Sequence, residues 1–303
     1  MTWETNAVEH GRMARALAEM VPVVIESGDL EQALDIAGKL AREAEQTDGL
    51  EWRKTNTVAA LSGIDIGILR DLVLAAMKTG GYGAKESACV LIRTVPKLAL
   101  RMTADLLASP DPVLSDSYSR GISQCGADAV TELGRCLSTG SPSLQTPALE
   151  ALIRMGSSQG LHIVVDAAGG RDAVLAVKAL AVLGEARSPV SSAACINALS
   201  SKAPEVREAA LAALGRLEDV DALPHILRIA TKTSMWRDNT LERIAAIRAL
   251  GHHQQPEAIR CLEVLAQRRG TLRRSQSEAV RFEAEKALAE ARRLETAASQ
   301  KAA

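Results

Sequence analysis

"PEVREAALAALGRLEDVDALPHI" at residues 204–226 returns about 36 positions later as "LERIAAIRALGHHQQPEAIRCL" at residues 241–262. At that offset Arg207 matches Arg243, and Leu211 corresponds to Ile247. Ala209, Ala210, Ala213, Leu214 and Gly215 match Ala245, Ala246, Ala249, Leu250 and Gly251. Apolar residues three and four apart bury one stripe of a helix. The alanines let a neighbouring helix come close, the leucine supplies most of the buried area, and the glycine is expected to end the helix in a left-handed conformation. A second helix follows, with Asp221 as its cap and Pro224 in its first turn. Leu223, Ile226 and Ala230 form its inward stripe, and Ile259, Leu262 and Ala266 take those places after Pro256. Such a helical hairpin has too little core to stand alone, so stacking must supply the rest.

The pattern extends both ways. "EAVRFEAEKALA" (278–289) repeats it with Arg281, Ala284, Ala287 and Leu288, but with Ala289 in place of the glycine. Upstream segments end at Gly184, Gly156 and Gly126, so successive glycines are 30, 28, 31 and 36 residues apart. That is the period of a solenoid.

Units with the text "VREAALAALG" followed by a second helix resemble HEAT-like repeats, of the kind also found in bilin lyases. The resemblance is good over residues 144–290, faint over 50–143 and absent from the first 49. It implies an all-α fold, an α-solenoid of stacked antiparallel helix pairs coiled as a right-handed superhelix and used mostly as a binding surface. It carries no shared catalytic residue. The region from 200 onward also resembles helical-repeat segments appended to bacterial signalling and regulatory proteins, which implies a role in regulation or assembly.

The expected organisation is an N-terminal helical cap (1–49), degenerate helical repeats (50–143), HEAT-like repeats (144–297) and a fraying tail (298–303). In the cap, two amphipathic runs are split by Gly28, and Asp29 caps the second. "GDLEQALDIAGKLAREA" has a tetratricopeptide flavour in one partial unit.

Composition supports this reading. The 303 residues are 47% hydrophobic but only 2% aromatic, which suits close-packed helices better than sheets. Thirty-six basic residues against 37 acidic ones give a net charge of −1, a balance unlike that of a chain that coats nucleic acid or anionic lipid. Residues 1–60 nevertheless carry 11 acids and 6 bases, and residues 201–303 carry 18 bases and 14 acids. The five cysteines are widely spaced without CxxC patterns, which fits a reducing compartment. The start lacks a leader pattern and no apolar run is long enough to cross a bilayer. The expectation is a cytoplasmic protein without cofactor.

Candidate sites are few. Arg207, Arg243 and Arg281 recur at one repeat position and would form a ladder about 10 Å apart. The structural reading, that each reaches a neighbouring unit's carboxylate or helix-end carbonyls, outweighs a phosphate-binding one. The later units have also grown, in "TKTSMWRDNT" (231–240) and "QRRGTLRRSQS" (267–277), both after the second helix. One loop presents Lys232, Trp236 and Arg237, and the other Arg268, Arg269, Arg273 and Arg274. Tryptophan and arginine are enriched at interaction hot spots, and arginine forks suit carboxylate or phosphate. The expected partner is another protein with an acidic or phosphorylated segment. The alternatives are a HEAT protein that grips the nucleic-acid backbone, as DNA glycosylases of this type do, and a bilin-lyase-like assistant for a prosthetic group.

His252 and His253 read as a surface turn rather than a metal site, and His162 and His225 as ordinary helix residues. "GGYGAKES" lacks the P-loop spacing, and Asp238 has no recognisable catalytic partners. No nucleophile–base pair is visible.

Overall fold

The computed structural model describes residues 2–46, 50–79, 81–139, 141–232, 239–267 and 274–302. They hold 18 α-helices, one 3-10 turn and, among the described residues, no strand. The fold is the all-α solenoid that the repeats imply. The chain divides into two compact units, Met1–Met155 and Gly156–Ala303.

The first unit comprises α1 (Thr2–Glu26), α2 (Leu30–Glu45), α3 (Glu51–Ser62), α4 (Ile66–Thr79), α5 (Tyr82–Thr94), the short α6 (Pro96–Arg101) and α7 (Thr103–Leu107), α8 (Pro112–Ser123), α9 (Ala127–Thr139) and α10 (Pro142–Arg154). The turn between α1 and α2 forms as its residues dictate. Gly28 takes φ +90°, and Asp29 accepts a hydrogen bond from the Gln32 amide at 2.9 Å. α2 is the hub, packed on α1, α3 and α5 through Ala33, Leu34, Ala37, Gly38, Leu40, Ala41 and Ala44. At helical spacing these small residues clear a face that several helices can approach closely. α8 then packs on α5, and α10 on α9.

The second unit holds α11 (Ser158–Ala168), α12 (Ala173–Leu183), α13 (Pro189–Ala198), α14 (Pro204–Leu217), the 3-10 turn Val220–Ala222, α15 (Leu223–Thr231), α16 (Thr240–Leu250), α17 (Pro256–Gln267) and α18 (Arg274–Ala302). The last helix runs through most of the segment whose composition reads as a fraying tail. α12, α14, α16 and α18 form one row of neighbours; in the second row, α11 packs on α13 and α15 on α17. Leu214 and Leu250 are fully buried, as are Ala210, Ala213, Ala246 and Ile247.

The structure corrects the sequence reading in three details. Gly126 and Gly156 turn left-handed as expected, at φ +53° and +64°, but the three later repeat glycines do not. Gly184 and Gly251 keep right-handed helical angles and Gly215 lies inside α14, where Glu218 at φ +53° makes the left-handed cap. Their role is proximity. A Cβ on Gly184 would sit 2.9 Å from Ala213 Cα, and one on Gly215 the same distance from Ala249 Cα. On Gly251 it would meet Ala287 Cβ at 3.1 Å. Each glycine thus receives the alanine that precedes the Leu-Gly (or Leu-Ala) pair of the next unit. This accounts for Ala289 in α18: the position is exposed, and no described helix has to approach it.

Secondly, Asp221 is not a cap. The Asp219 side chain accepts from the Asp221 amide at 3.1 Å and starts the 3-10 turn, from which α15 continues with Pro224 in its first turn. Thirdly, Leu223, Ile226 and Ala230 are buried in α15, but the buried stripe of α17 is Ala258, Leu262 and Leu265. Ile259 and Ala266 are half-exposed. The two helices start differently, α17 without a preceding 3-10 turn, so its register shifts.

Candidate functional site

The expected site lies at the ends of α15 and α17. Lys232 is exposed just past α15, and its carbonyl accepts a hydrogen bond from Asn239 Nδ2 at 2.9 Å. The "TKTSMWRDNT" loop therefore leaves and returns at two tied residues. Trp236 and Arg237 lie outside the described residues, as do Arg268, Arg269 and Arg273, while Arg274 opens α18. Since α15 packs on α17 and α16 on α18, each loop joins a helix to the row whose next member the other loop also enters.

The described part of this edge adds two residues that the sequence reading passed over. Arg228 and Arg260 both stand four positions after the proline that opens their helix, and both are exposed. Lys232 follows Arg228 by one turn. Among the described residues no carboxylate lies within ion-pair distance of these three cations. The signal was present in "LPHILR" and "QPEAIR", but it is legible only when the two prolines, rather than the two glycines, are aligned.

The other repeat cations behave differently. Arg207 spans a repeat boundary, with Nε and Nη2 donating to Glu242 at 3.1 and 3.3 Å and Nη1 to the Ser201 carbonyl at 2.9 Å. Arg243 is buried and donates to the Ala230 carbonyl at the end of α15, at 3.1 Å. Arg281 lies 3.6 Å from Glu285 on its own helix. A parallel tie joins Arg248 of α16 to Glu283 of α18 at 2.7 and 3.3 Å. The guanidinium's hydrogen bond holds the Glu283 carboxyl below its ordinary range. Arg207, Arg243 and Arg248 are thus consumed in holding layers together, while Arg281, contrary to the expected ladder, has its carboxylate within its own helix; Arg228, Lys232 and Arg260 face outward.

In the first unit a cleft of about 680 Å³ is lined by Glu45, Glu51, Lys54, Arg93, Arg120 and Gln124. Arg93 is already gripped by both Glu45 oxygens, at 2.7 and 2.9 Å, and donates to Ser117 Oγ at 3.1 Å. Burial pushes all five cysteine thiols above their ordinary pKa, Cys195 to about 12, opposite to an activated thiolate. Among the described residues, no three His, Cys, Asp or Glu side chains gather as metal ligands, and no helix is long and apolar enough to cross a membrane.

Of the paired histidines, His252 is half-exposed in the expected turn, but His253 departs from it. His253 is fully buried, and its Nδ1 lies 3.2 Å from Gln255 Oε1. Burial favours the neutral ring and lowers its pKa below 6.5, against the opposing influence of Gln255 and Glu218; His252 adds a further lowering. The unfolded chain therefore binds a proton that the folded chain refuses, so stability falls as pH drops below about 6.5. Urea midpoints for the second unit should decline between pH 7.5 and 5.5, and His253→Gln should flatten that decline. The Glu283 carboxyl acts only at lower pH, because its stabilising ionisation is lost below the ordinary carboxylate pKa. An unchanged slope in the variant would remove His253 as the cause.

Comparison with known proteins places the repeats. Residues 166–238 match the family model described as HEAT repeats, a stretch that takes in α12 to α15. No curated protein matches the chain. Among solved structures, human deoxyhypusine hydroxylase in complex with glycerol is 16% identical over 89% of this chain and 99% of its own, with a TM-score of 0.37. Kap95p, from a structure of its binding to RanGDP, is 12% identical over 94% of this chain and 42% of its own, with a TM-score of 0.42. An engineered protein is 14% identical over 93% and 95%, with a TM-score of 0.38.

Proposed function

We propose that this chain, whose residues 166–238 are HEAT repeats, is a non-enzymatic scaffold or adaptor in regulation or assembly. On this reading it binds another protein along the α15–α17 edge. The observation that carries it is the division of labour among its cations. Arg207, Arg243 and Arg248 are engaged between helices, while Arg228, Lys232 and Arg260 share one edge without an ion-pair partner among the described residues. The loops that continue this edge add Trp236, Arg237, Arg268, Arg269, Arg273 and Arg274 by sequence. Unpaired guanidinium forks select carboxylate or phosphate groups, and a nearby indole supplies apolar area at small entropic cost. The ligand that fits is an acidic or phosphorylated segment of a protein.

Fluorescence anisotropy with a labelled peptide of Asp, Glu and phosphoserine residues tests this. The native chain should bind it. Replacing Arg268, Arg269, Arg273 and Arg274 by Glu should leave helicity and melting unchanged and weaken binding by at least about tenfold, roughly 1.4 kcal/mol. Arg228→Glu with Arg260→Glu should act in the same direction. Undiminished binding by both variants would overturn the site, and tighter, steeply salt-dependent binding to duplex DNA would replace the protein partner with nucleic acid.

A further inference from the structure

α11 and α13 pack on each other and leave a hollow of about 430 Å³ beside their C-terminal ends. Its apolar wall is made of Val165 and Ala168 from α11, Ala194 and Ala198 from α13, and Val206 of α14. α11 runs out into Gly169 and Gly170, and a Cβ on Gly169 would meet nothing nearer than the Val165 carbonyl at 3.7 Å. Alanine and glycine at these positions are what keep the space open.

The lip of the hollow is polar and electronegative. Asp166, Asn197 and Ser200 line it, and all three are exposed. Ser200 Oγ already donates to the Asn197 carbonyl at 2.7 Å, so it meets a ligand as an acceptor. α11 ends at Ala168 and α13 at Ala198, and the negative poles of both helix dipoles add to the Asp166 carboxylate. Among the described residues no lysine, arginine or histidine lines the hollow. None lies within ion-pair distance of Asp166, including His162 one turn before it. Arg171 and Lys202 follow the two helices in sequence, but both are exposed and neither belongs to the lining. Arg207 reaches the Ser201 carbonyl behind the hollow, and its charge is answered there by Glu242.

An apolar wall with acceptors at its lip suits a lysine. The four methylenes of that side chain can lie on Val165, Ala168 and Ala198 while the ammonium stays at the wet rim. Its three rotatable donors find a side-chain oxygen on each of Asp166, Asn197 and Ser200. An acidic group would instead face a carboxylate and two helix C-termini, and an apolar one would leave them unanswered. We infer that this hollow receives a lysine side chain of the bound protein. The inference rests on the reading of the chain as a protein-binding scaffold, and adds that the partner brings a base for α11–α13 as well as acids for the α15–α17 edge.

Amide NMR of the full chain tests the hollow directly, with Nα-acetyl-lysine N-methylamide as the probe. Its titration should move the Gly169 and Gly170 signals to saturation. The norleucine analogue, which keeps the stem and lacks the ammonium, should bind more weakly. Asp166→Asn should weaken the lysine probe at least about threefold, the loss of one exposed ion pair, with native helicity. Asn197→Asp should strengthen it, an opposite sign that loss of folding cannot produce. Equal binding of the two probes, native affinity in Asp166→Asn, or unmoved Gly169 and Gly170 signals would each overturn the inference. Neither the probe nor these variants touch Arg228, Lys232 or Arg260. Loss of acidic-peptide binding with lysine binding retained would therefore strike the α15–α17 edge alone, and the reverse would strike only the hollow.

Discussion

Leu250→Ala and Leu214→Ala should each lower the unfolding free energy of the second unit by about 2–5 kcal/mol. Both side chains are fully buried, on consecutive members of the row α12, α14, α16 and α18. The neighbouring alanines are already as close as their backbones allow, with Gly215 against Ala249 and Gly251 against Ala287. The layers therefore cannot collapse into the void, and incomplete relaxation places the cost toward the upper part of that range. Leu288 holds the same repeat position on α18 but is only half-buried, because no described layer lies beyond it. Leu288→Ala should accordingly cost markedly less. Urea unfolding followed by circular dichroism measures all three. Losses below about 1 kcal/mol at both Leu214 and Leu250 would show that the leucine is not the inter-layer anchor.

The repeat was legible because stacking selects residue types one position at a time. Ala213, Leu214 and Gly215 recur as Ala249, Leu250 and Gly251 because each faces the same neighbour in successive layers. Pattern alone could not say which constraint kept the glycine. A left-handed cap and a close helix approach demand the same missing Cβ, and only coordinates separate Gly156, at φ +64°, from Gly184, where Ala213 presses in. His253 was misread for a related reason. Its turn is polar in sequence, yet the stacked layers enclose it, and burial is a property of the stack rather than of "GHHQQP". The site was less legible still. Arg207 and Arg228 are equally arginine in the sequence, and what distinguishes them is whether a carboxylate from the adjoining unit arrives. Glu242 arrives for Arg207 and no described carboxylate does for Arg228. Complementary charges from different repeats meet through tertiary packing, which no local window contains.

Gly121→Ala should destabilise the first unit by about 3 kcal/mol, although alanine is the better helix former by about 1 kcal/mol. A Cβ at Gly121 would overlap the Ile92 carbonyl oxygen of α5 and touch Ala99 Cβ of α6 at 3.0 Å. The obstacle is backbone, so no rotamer change relieves it, and α8 must move away from α5. That movement would also loosen the contact of Arg93 with Ser117 at 3.1 Å, since the two residues lie on the same pair of helices. The same chemical change elsewhere on that pair serves as the control. Gly83 lies in the first turn of α5 with nothing within 4 Å of its added Cβ. Gly83→Ala should therefore raise stability by up to about 1 kcal/mol through propensity and the reduced freedom of the unfolded chain. Opposite signs for one substitution on two packed helices can come only from the distance between those helices. A stabilised Gly121→Ala, measured by the shift of its urea midpoint, would mean that α5 and α8 stand farther apart than the structure places them.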